Sequence, residues 1–476
     1  MNQVKTIFKN MSWLFVSQVI AAICGFVWTI LIARYLDVSD YGIMNFAISF
    51  VGIIAITMDL GISTHIIRHI ATDFDSAPKY LGNAIPLKSV LSFLTFFLAL
   101  IILILMNCNE LTIQITLLFT LEQIFKSMIG LFNGSLQAIE EGKYQAIGNI
   151  LLNIILLIFI LVSIICDLGL YGITLAYLVS NFSVLIFLYI AVKKIISKPN
   201  FEFDIEFCKK ITLYSIPFAL TSLFGMLLYS ADMVMLTNMV GEYENGIYSA
   251  AYKLISVISL FYGVYSAVIF PVMSRFYKNE KKLLVVSFEK SIKYIMLIII
   301  PVSFSTMVYS ADIVTLFFGQ KYYPTSSVLS ILMWSLPLCF INGICLNVLN
   351  ASHKEKYVTL SFLVATLFNI VLNLFVIPKY SYDGAAITSI LSEILLTISY
   401  FYSIYKLDAL PNKKLYLDLF KIVIASVILY SVLLLLNLNM WLALPLGIII
   451  YFAIIILIKP FDEDDKYIIK EIIGKN

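Results

Sequence analysis

The sequence predicts an all-α integral membrane protein of fourteen transmembrane helices, and three observations carry that prediction. First, 61% of the 476 residues are hydrophobic and only 13% are charged, against about 45–50% and about 25% in soluble domains; the mean hydropathy is +0.96. Second, the apolar residues gather in runs of the length that crosses a hydrocarbon core of ~30 Å, which takes about 20 residues as a helix. Third, the basic residues fall on one side of the topology those runs define. The net charge of +3 is small and evenly spread, which excludes a nucleic-acid surface.

Span 1 covers 12–33. Lys5 and Lys9 precede it as they would a signal peptide, but its apolar stretch exceeds the ~7–15 residues of a signal core and no small-residue cleavage site follows. It is read as a retained helix. Spans 2 to 6 follow at 41–60, 84–106, 113–133, 144–165 and 172–192. A basic stretch near 193–212 then divides the chain, with Lys193, Lys194 and Lys198 before Pro199 and Lys209 and Lys210 after it. Spans 7 to 12 run 213–236, 247–270, 292–309, 327–349, 358–378 and 384–405, with a second basic loop at 271–291. Spans 13 and 14, at 420–436 and 441–458, precede a tail with the solvated acidic run Asp462-Glu463-Asp464-Asp465.

With the N-terminus inside, 27 of the 32 Lys and Arg residues fall on cytoplasmic segments or, as Lys88, Lys293 and Lys421 do, in the cytoplasmic end of a span, and three, Arg34, Lys321 and Lys379, fall outside. That asymmetry obeys the positive-inside rule, and an odd number of missed helices would destroy it. Lys126 and Lys253 are left as the basic residues deeper within spans. Both termini are therefore placed in the cytoplasm of a multi-pass protein of the cell membrane.

The chain repeats itself. Gly42-Ile43 with Ala47 matches Gly246-Ile247 with Ala251 at an offset of 204, and Gln137-Ala138 with Lys143-Tyr144 matches Asn350-Ala351 with Lys356-Tyr357 at 213. Gly172 with Ser180-Asn181 matches Gly384 with Ser392-Glu393 at 212. The unit is six helices, so both halves share one membrane orientation and their pseudo-twofold runs along the membrane normal. Transporters built in this way hold substrate between lobes and rock one against the other. The expected organisation is an N-lobe over 1–197 (spans 1–6), a cytoplasmic linker over 198–212, and a C-lobe over 213–405 (spans 7–12). Spans 13–14 and the tail occupy 406–476.

Charges within a span cost ~2.5–3.5 kcal/mol each and mark a cavity or a partner. Glu122 and Lys126 stand four apart in span 4, on one helix face, so an internal ion pair competes with a substrate role. Asp232 in span 7 and Lys253 in span 8 lie near the outer ends of their helices and are expected either to pair across the joining loop or to face a lumen. Glu393 stands mid-span in span 12 with no partner nearby in sequence, which makes it the candidate for ion coupling. Asp59 ends span 2, where interfacial solvation costs little. Gln18, Asn45, Tyr248 and Tyr252 are polar lumen candidates, with interhelical hydrogen bonding or an interfacial belt as the competing reading.

Other chemistry is weak or excluded. The six Cys are scattered without metal or redox spacing. His65, His69 and Asp73 have helical spacing but no fourth ligand, so no metal site is assigned. Asp73-Phe74-Asp75 lies in too short a loop to serve a nucleotide-sugar domain, and no phosphate loop exists, which excludes ATP hydrolysis by this chain. No cofactor is expected.

Gln18-Val19, Ile32-Ala33-Arg34-Tyr35-Leu36, Tyr41-Gly42 and Asp59-Leu60-Gly61 with Arg68 resemble the start of the polysaccharide-transporter flippases. Val240-Gly241-Glu242-Tyr243, Gly246-Ile247-Tyr248 and Ala251-Tyr252-Lys253 after Asp232 resemble the same family's second half, and Tyr144 to Asn149 and Gly169-Leu170-Tyr171-Gly172 fit as well. The resemblance covers spans 1–12 and rests on loose patterns. It implies a Wzx-like member of the multidrug/oligosaccharidyl-lipid/polysaccharide exporter superfamily, not an enzyme. Such a protein flips polyprenyl-(pyro)phosphate-linked oligosaccharide between leaflets. Membrane lipids, H⁺ or Na⁺ as a coupling ion and glycan-assembly proteins are the further partners that role brings. It also implies a lipid-tail groove for spans 13 and 14. The rival within the superfamily is a cation-coupled multidrug antiporter of the MATE type, using Glu122, Asp232 or Glu393; the two in-span lysines argue against a cationic substrate. A membrane-embedded glycan polymerase or glycosyltransferase fits less well, because the external loops are about ten residues or shorter apart from 310–326, which has seventeen.

Overall fold

The computed structural model describes residues 2–196, 204–436 and 438–458. Part of the expected linker (198–203) and the acidic run from Asp462 lie outside the described residues. Those described are helical, with no strand among them. Eleven helices are long and apolar enough to cross a membrane, or twelve if Thr325–Leu332 and Ser335–Ala351, bent by 41°, form one span. The helical, multi-span class is therefore as expected. The chain forms two compact units, Met1–Ser249 and Ala250–Asn476.

Unit 1 contains α1 (Asn2–Tyr35), α2 (Val38–Ile54), α3 (Ile56–Asp59), α4 (Ile62–Thr72), α5 (Ala77–Leu105), α6 (Glu110–Ala138), α7 (Gly142–Ile165), α8 (Gly169–Ile195), α9 (Ile205–Met239) and the first residues of α10 (Glu242–Asn279). Side-chain caps fix two of these starts. Asn109 accepts from the Thr112 amide at 2.7 Å to open α6, and Asp204 Oδ1 takes the Glu206 and Phe207 amides at 3.0 and 3.1 Å to open α9. Leu60 and Gly61, at φ 45° and 78°, turn the chain out of α3. The α4 helix was not expected from hydropathy, because only one stripe of it is apolar. Ile62, Ile66 and Ile70, four residues apart, are buried among Leu81, Leu131 and Leu188. The helices of this unit pack as α1 and α8 on α7, α8 on α6, and α9 on α2.

Two glycines set the closest approach within unit 1. A Cβ on Gly42 would fall 1.8 Å from the Glu242 carbonyl oxygen, and one on Gly246 would fall 2.1 Å from that of Val38. The Asn245 side-chain amide crosses the same contact to donate to the Gly42 carbonyl at 2.8 Å.

Unit 2 holds the rest of α10 with α11 (Lys281–Val308), α12 (Ser310–Phe318), α13 (Thr325–Leu332), α14 (Ser335–Ala351), α15 (Glu355–Tyr405), α16 (Lys413–Leu436) and α17 (Met440–Ile458). The 51-residue α15 is broken at Ser381, whose φ of 51° and ψ of −134° are not helical. The last two helices dock on α11. Lys293 of α11 meets Asp418 of α16 at 2.6 Å, with 5% and 8% of the side chains exposed, and Tyr451 of α17 donates to the Leu297 carbonyl at 2.8 Å.

Candidate functional site

In unit 1 the expected pair is formed. Lys126 Nζ lies 2.9 Å from Glu122 Oε1, one helical turn apart on α6. The same carboxylate oxygen accepts from Asn181 Nδ2 of α8 at 2.6 Å. Glu122 is buried, whereas Lys126, midway along a membrane-spanning helix, is exposed. Asn181 was not singled out by sequence as a partner of Glu122, because 59 residues separate them.

Asp232 of α9 is buried and accepts from the Tyr248 hydroxyl at 2.8 Å. Tyr248 is therefore a buried partner of that carboxylate rather than an open lumen group. Tyr252 and Lys253, further along α10, are half-buried. Asn45 is half-buried and donates to the carbonyl of Tyr41 at 2.8 Å, which is the bland role weighed for it, while Gln18 is exposed on α1.

In unit 2 Glu393 does have a partner, contrary to expectation. Asn342 Nδ2 of α14 donates to Glu393 Oε2 at 2.6 Å and to its backbone carbonyl at 3.1 Å. The two buried carboxylates thus use one chemistry with the roles exchanged. Asn181 and Glu393 stand at the 212 offset of the Gly172–Gly384 match, and the first gives an amide to a carboxylate while the second offers a carboxylate to an amide. Their partners, Glu122 and Asn342, do not share the repeat offset, so sequence matching pointed to one member of each pair only.

Two further ion pairs, each with a buried lysine, were missed. Lys88 of α5, fully buried, is bonded to Asp59 and donates to Ser63 Oγ at 3.0 Å and to the Ser127 carbonyl at 2.8 Å. Asp59 is accordingly a paired residue, not merely an interfacial one. The Lys293–Asp418 pair is the second. Lys88 and Lys293 stand 205 residues apart, close to the 204 of the Gly42–Gly246 match, and that near-register is the sequence signal that could have pointed to them together.

A helical bundle with buried carboxylate–amide and ion pairs, and with an exposed cation halfway along one apolar helix, has the make-up of a membrane transporter. The comparisons with known proteins specify which. The polysaccharide biosynthesis protein family model matches residues 7–277, more than half of the chain, and the chain belongs to that family. A MatE model also matches 217–375. The capsular polysaccharide biosynthesis protein CapF of Staphylococcus aureus is 29% identical over 413 residues, covering 83% of this chain and 98% of the relative. The probable low-salt glycan biosynthesis flippase Agl15 of Haloferax volcanii is 24% identical over 406 residues, covering 81% and 80%. Among solved structures, the lipid II flippase MurJ in an inward closed conformation matches with a TM-score of 0.76 at 18% identity, over 93% of this chain and 97% of that one. A multidrug resistance MATE family transporter of the MOP superfamily, inward-facing, matches at 0.67 and 16% identity, over 82% and 95%. The chain is thus a multi-span member of the polysaccharide biosynthesis protein family with the fold that MurJ and MATE transporters share, and the proteins it resembles include a flippase and transporters rather than an enzyme.

Proposed function

We propose that this protein moves polyprenyl-linked oligosaccharide from the cytoplasmic to the outer leaflet by alternating access, without hydrolysing ATP. The observation that carries the reading is Lys126. A cation midway along an apolar helix, with 43% of its side chain exposed, is tolerated where it faces a polar cavity. Sugar hydroxyls cost ~4–8 kcal/mol each to bury unpaired in hydrocarbon, so a headgroup needs such a path. Its pyrophosphate linker is anionic, and Lys126 and Lys253 are cations suited to it. A compact ammonium on a flexible stem releases phosphate as readily as it binds it. An inside-negative potential favours outward movement of each negative charge by ~2.3 kcal/mol per 100 mV, which supplies direction.

The MATE-type antiporter remains the second reading, favoured by the MatE match and by the buried carboxylates Asp232 and Glu393. It calls for a cationic substrate, which positively charged side chains in the path repel.

Fourteen spans in two six-helix lobes plus α16 and α17, with both termini cytoplasmic, complete the proposal. At 1.5 Å per residue, the 51 residues of α15 would extend about 76 Å, more than twice the ~30 Å core. It is therefore two spans that reverse at Ser381. The bent α13–α14 pair makes one span and α11 another. Single cysteines at Glu242 and Tyr380 should react with an impermeant thiol reagent in intact cells, and one at Lys282 should not.

Function is tested by surface glycan in cells carrying variants at normal protein level. Lys126→Ala and Lys253→Ala should each cut export, and the Lys→Arg changes should keep part of it. Normal glycan from a double neutral variant of Lys253 and Asp232, where each single change fails, would refute a substrate role for Lys253.

A further inference from the structure

The two members of the Glu122–Lys126 pair differ in their freedom to move. The Glu122 side chain is 2% exposed and that of Lys126 43%. Glu122 Oε1 holds two donors, Lys126 Nζ at 2.9 Å and Asn181 Nδ2 at 2.6 Å. Asn181 is itself buried and fixed, because its amide also donates to the Tyr177 carbonyl at 3.0 Å. If the lysine leaves, the carboxylate keeps one donor and its position. The lysine also has somewhere to go. Gly130, one turn further along the same face of α6, is exposed, and a Cβ built there would meet nothing within 4 Å. Lys88 reaches the neighbouring Ser127 carbonyl, but Asp59 holds it and it does not stand in for Lys126.

We propose that Glu122 is a built-in competitor for Lys126 and so the positioning residue that sets substrate release. In the empty protein the fixed carboxylate holds the ammonium. An anionic linker draws Lys126 off toward the open side at Gly130, and the return of Lys126 to Glu122 lets the linker go. With the lysine away, the buried carboxylate also repels the anion beside it. The apparent affinity falls by the fraction of Lys126 held by Glu122, which keeps binding weak enough for turnover. This inference rests on the reading of Lys126 as a ligand of the lipid phosphates.

The test is binding of a short-chain prenyl pyrophosphate to the purified full-length protein, with thermal unfolding as the check that each variant is folded. Glu122→Gln should bind about fivefold tighter, the worth of a partly exposed ion pair, and should export less glycan per molecule. A structural role would predict weaker binding or none. Lys126→Gln should bind more weakly than the parent. If Lys126→Gln leaves affinity unchanged, the ligand reading fails and this inference with it. If Lys126→Gln weakens binding while Glu122→Gln binds no tighter, the competitor role alone is overturned. Should Glu122→Gln not fold, Glu122→Asp withdraws the charge by one methylene and should tighten binding about twofold. A folded Glu122→Asp that binds no tighter overturns the proposal.

Discussion

Gly42 of α2 and Gly246 of α10, which match in sequence at an offset of 204, pack against each other's helix with no room for a methyl group on either. Their would-be Cβ atoms fall 1.8 Å and 2.1 Å from carbonyl oxygens of the opposite helix. Each glycine meets the backbone four residues before the other, Glu242 and Val38, so the contact is itself two-fold symmetric. Backbone, unlike a side-chain tip, cannot step aside.

Gly42→Ala and Gly246→Ala should therefore each destabilise the protein by about 1–3 kcal/mol through overpacking. A fall in the thermal unfolding midpoint of the detergent-solubilised protein checks this. Gly225→Ala is the control, because nothing lies within 4 Å of its would-be Cβ, and its midpoint should hold or rise.

The Lys293–Asp418 pair, nearly sealed from solvent on both sides, should behave as a buried ion pair. Lys293→Met or Asp418→Leu alone strands one charge among α11 and α16 and should cost about 3–5 kcal/mol. The double variant should lie close to the parent or above it. A double variant no better than the worse single would show that the pair does not act as a unit.

Sequence made the local features legible and left the distant ones dark. The apolar runs marked the helices because hydropathy is read along the chain, and Glu122–Lys126 was visible because helical geometry puts residues four apart on one face. Nothing local linked Lys88 to Asp59, 29 residues away, or Lys293 to Asp418, 125 away. Both lysines lie near the start of a span, where they look like topology-setting charge. Glu393 looked solitary because Asn342 is 51 residues distant. The break between spans 11 and 12 was legible, since Lys379, Tyr380 and Ser381 look like a loop, but its sharpness was not: a single residue, Ser381 at φ 51° and ψ −134°, makes it.

Cys108, between α5 and α6, reports on the neighbourhood of Glu242. Burial pushes its thiol pKa up, and the Glu242 carboxylate adds to the rise. A raised pKa means less thiolate at neutral pH, so maleimide labelling of Cys108 should be slow at pH 7 and should speed up as pH rises through the shifted value. Glu242→Gln should bring the acceleration to lower pH. An unchanged profile would place Glu242 away from this thiol.

Glu393→Gln keeps a group that accepts from Asn342 but removes the charge. If Glu393 carries the coupling ion, export by this variant should lose most of its pH or Na⁺ dependence at unchanged protein level. Full retention of that dependence would leave the Glu393–Asn342 pair as packing between α14 and α15.

The most direct test is reconstitution of the full chain in liposomes loaded with a fluorescent polyprenyl-pyrophosphoryl oligosaccharide, with exposure of the sugar followed by an impermeant lectin. Without ATP, the protein should bring the lipid to the outer leaflet, and Lys126→Ala should do so about tenfold more slowly, the loss of one charge-assisted contact. Movement no faster than in protein-free liposomes, alongside uptake of an organic cation in exchange for H⁺ or Na⁺, would contradict the flippase and establish the antiporter.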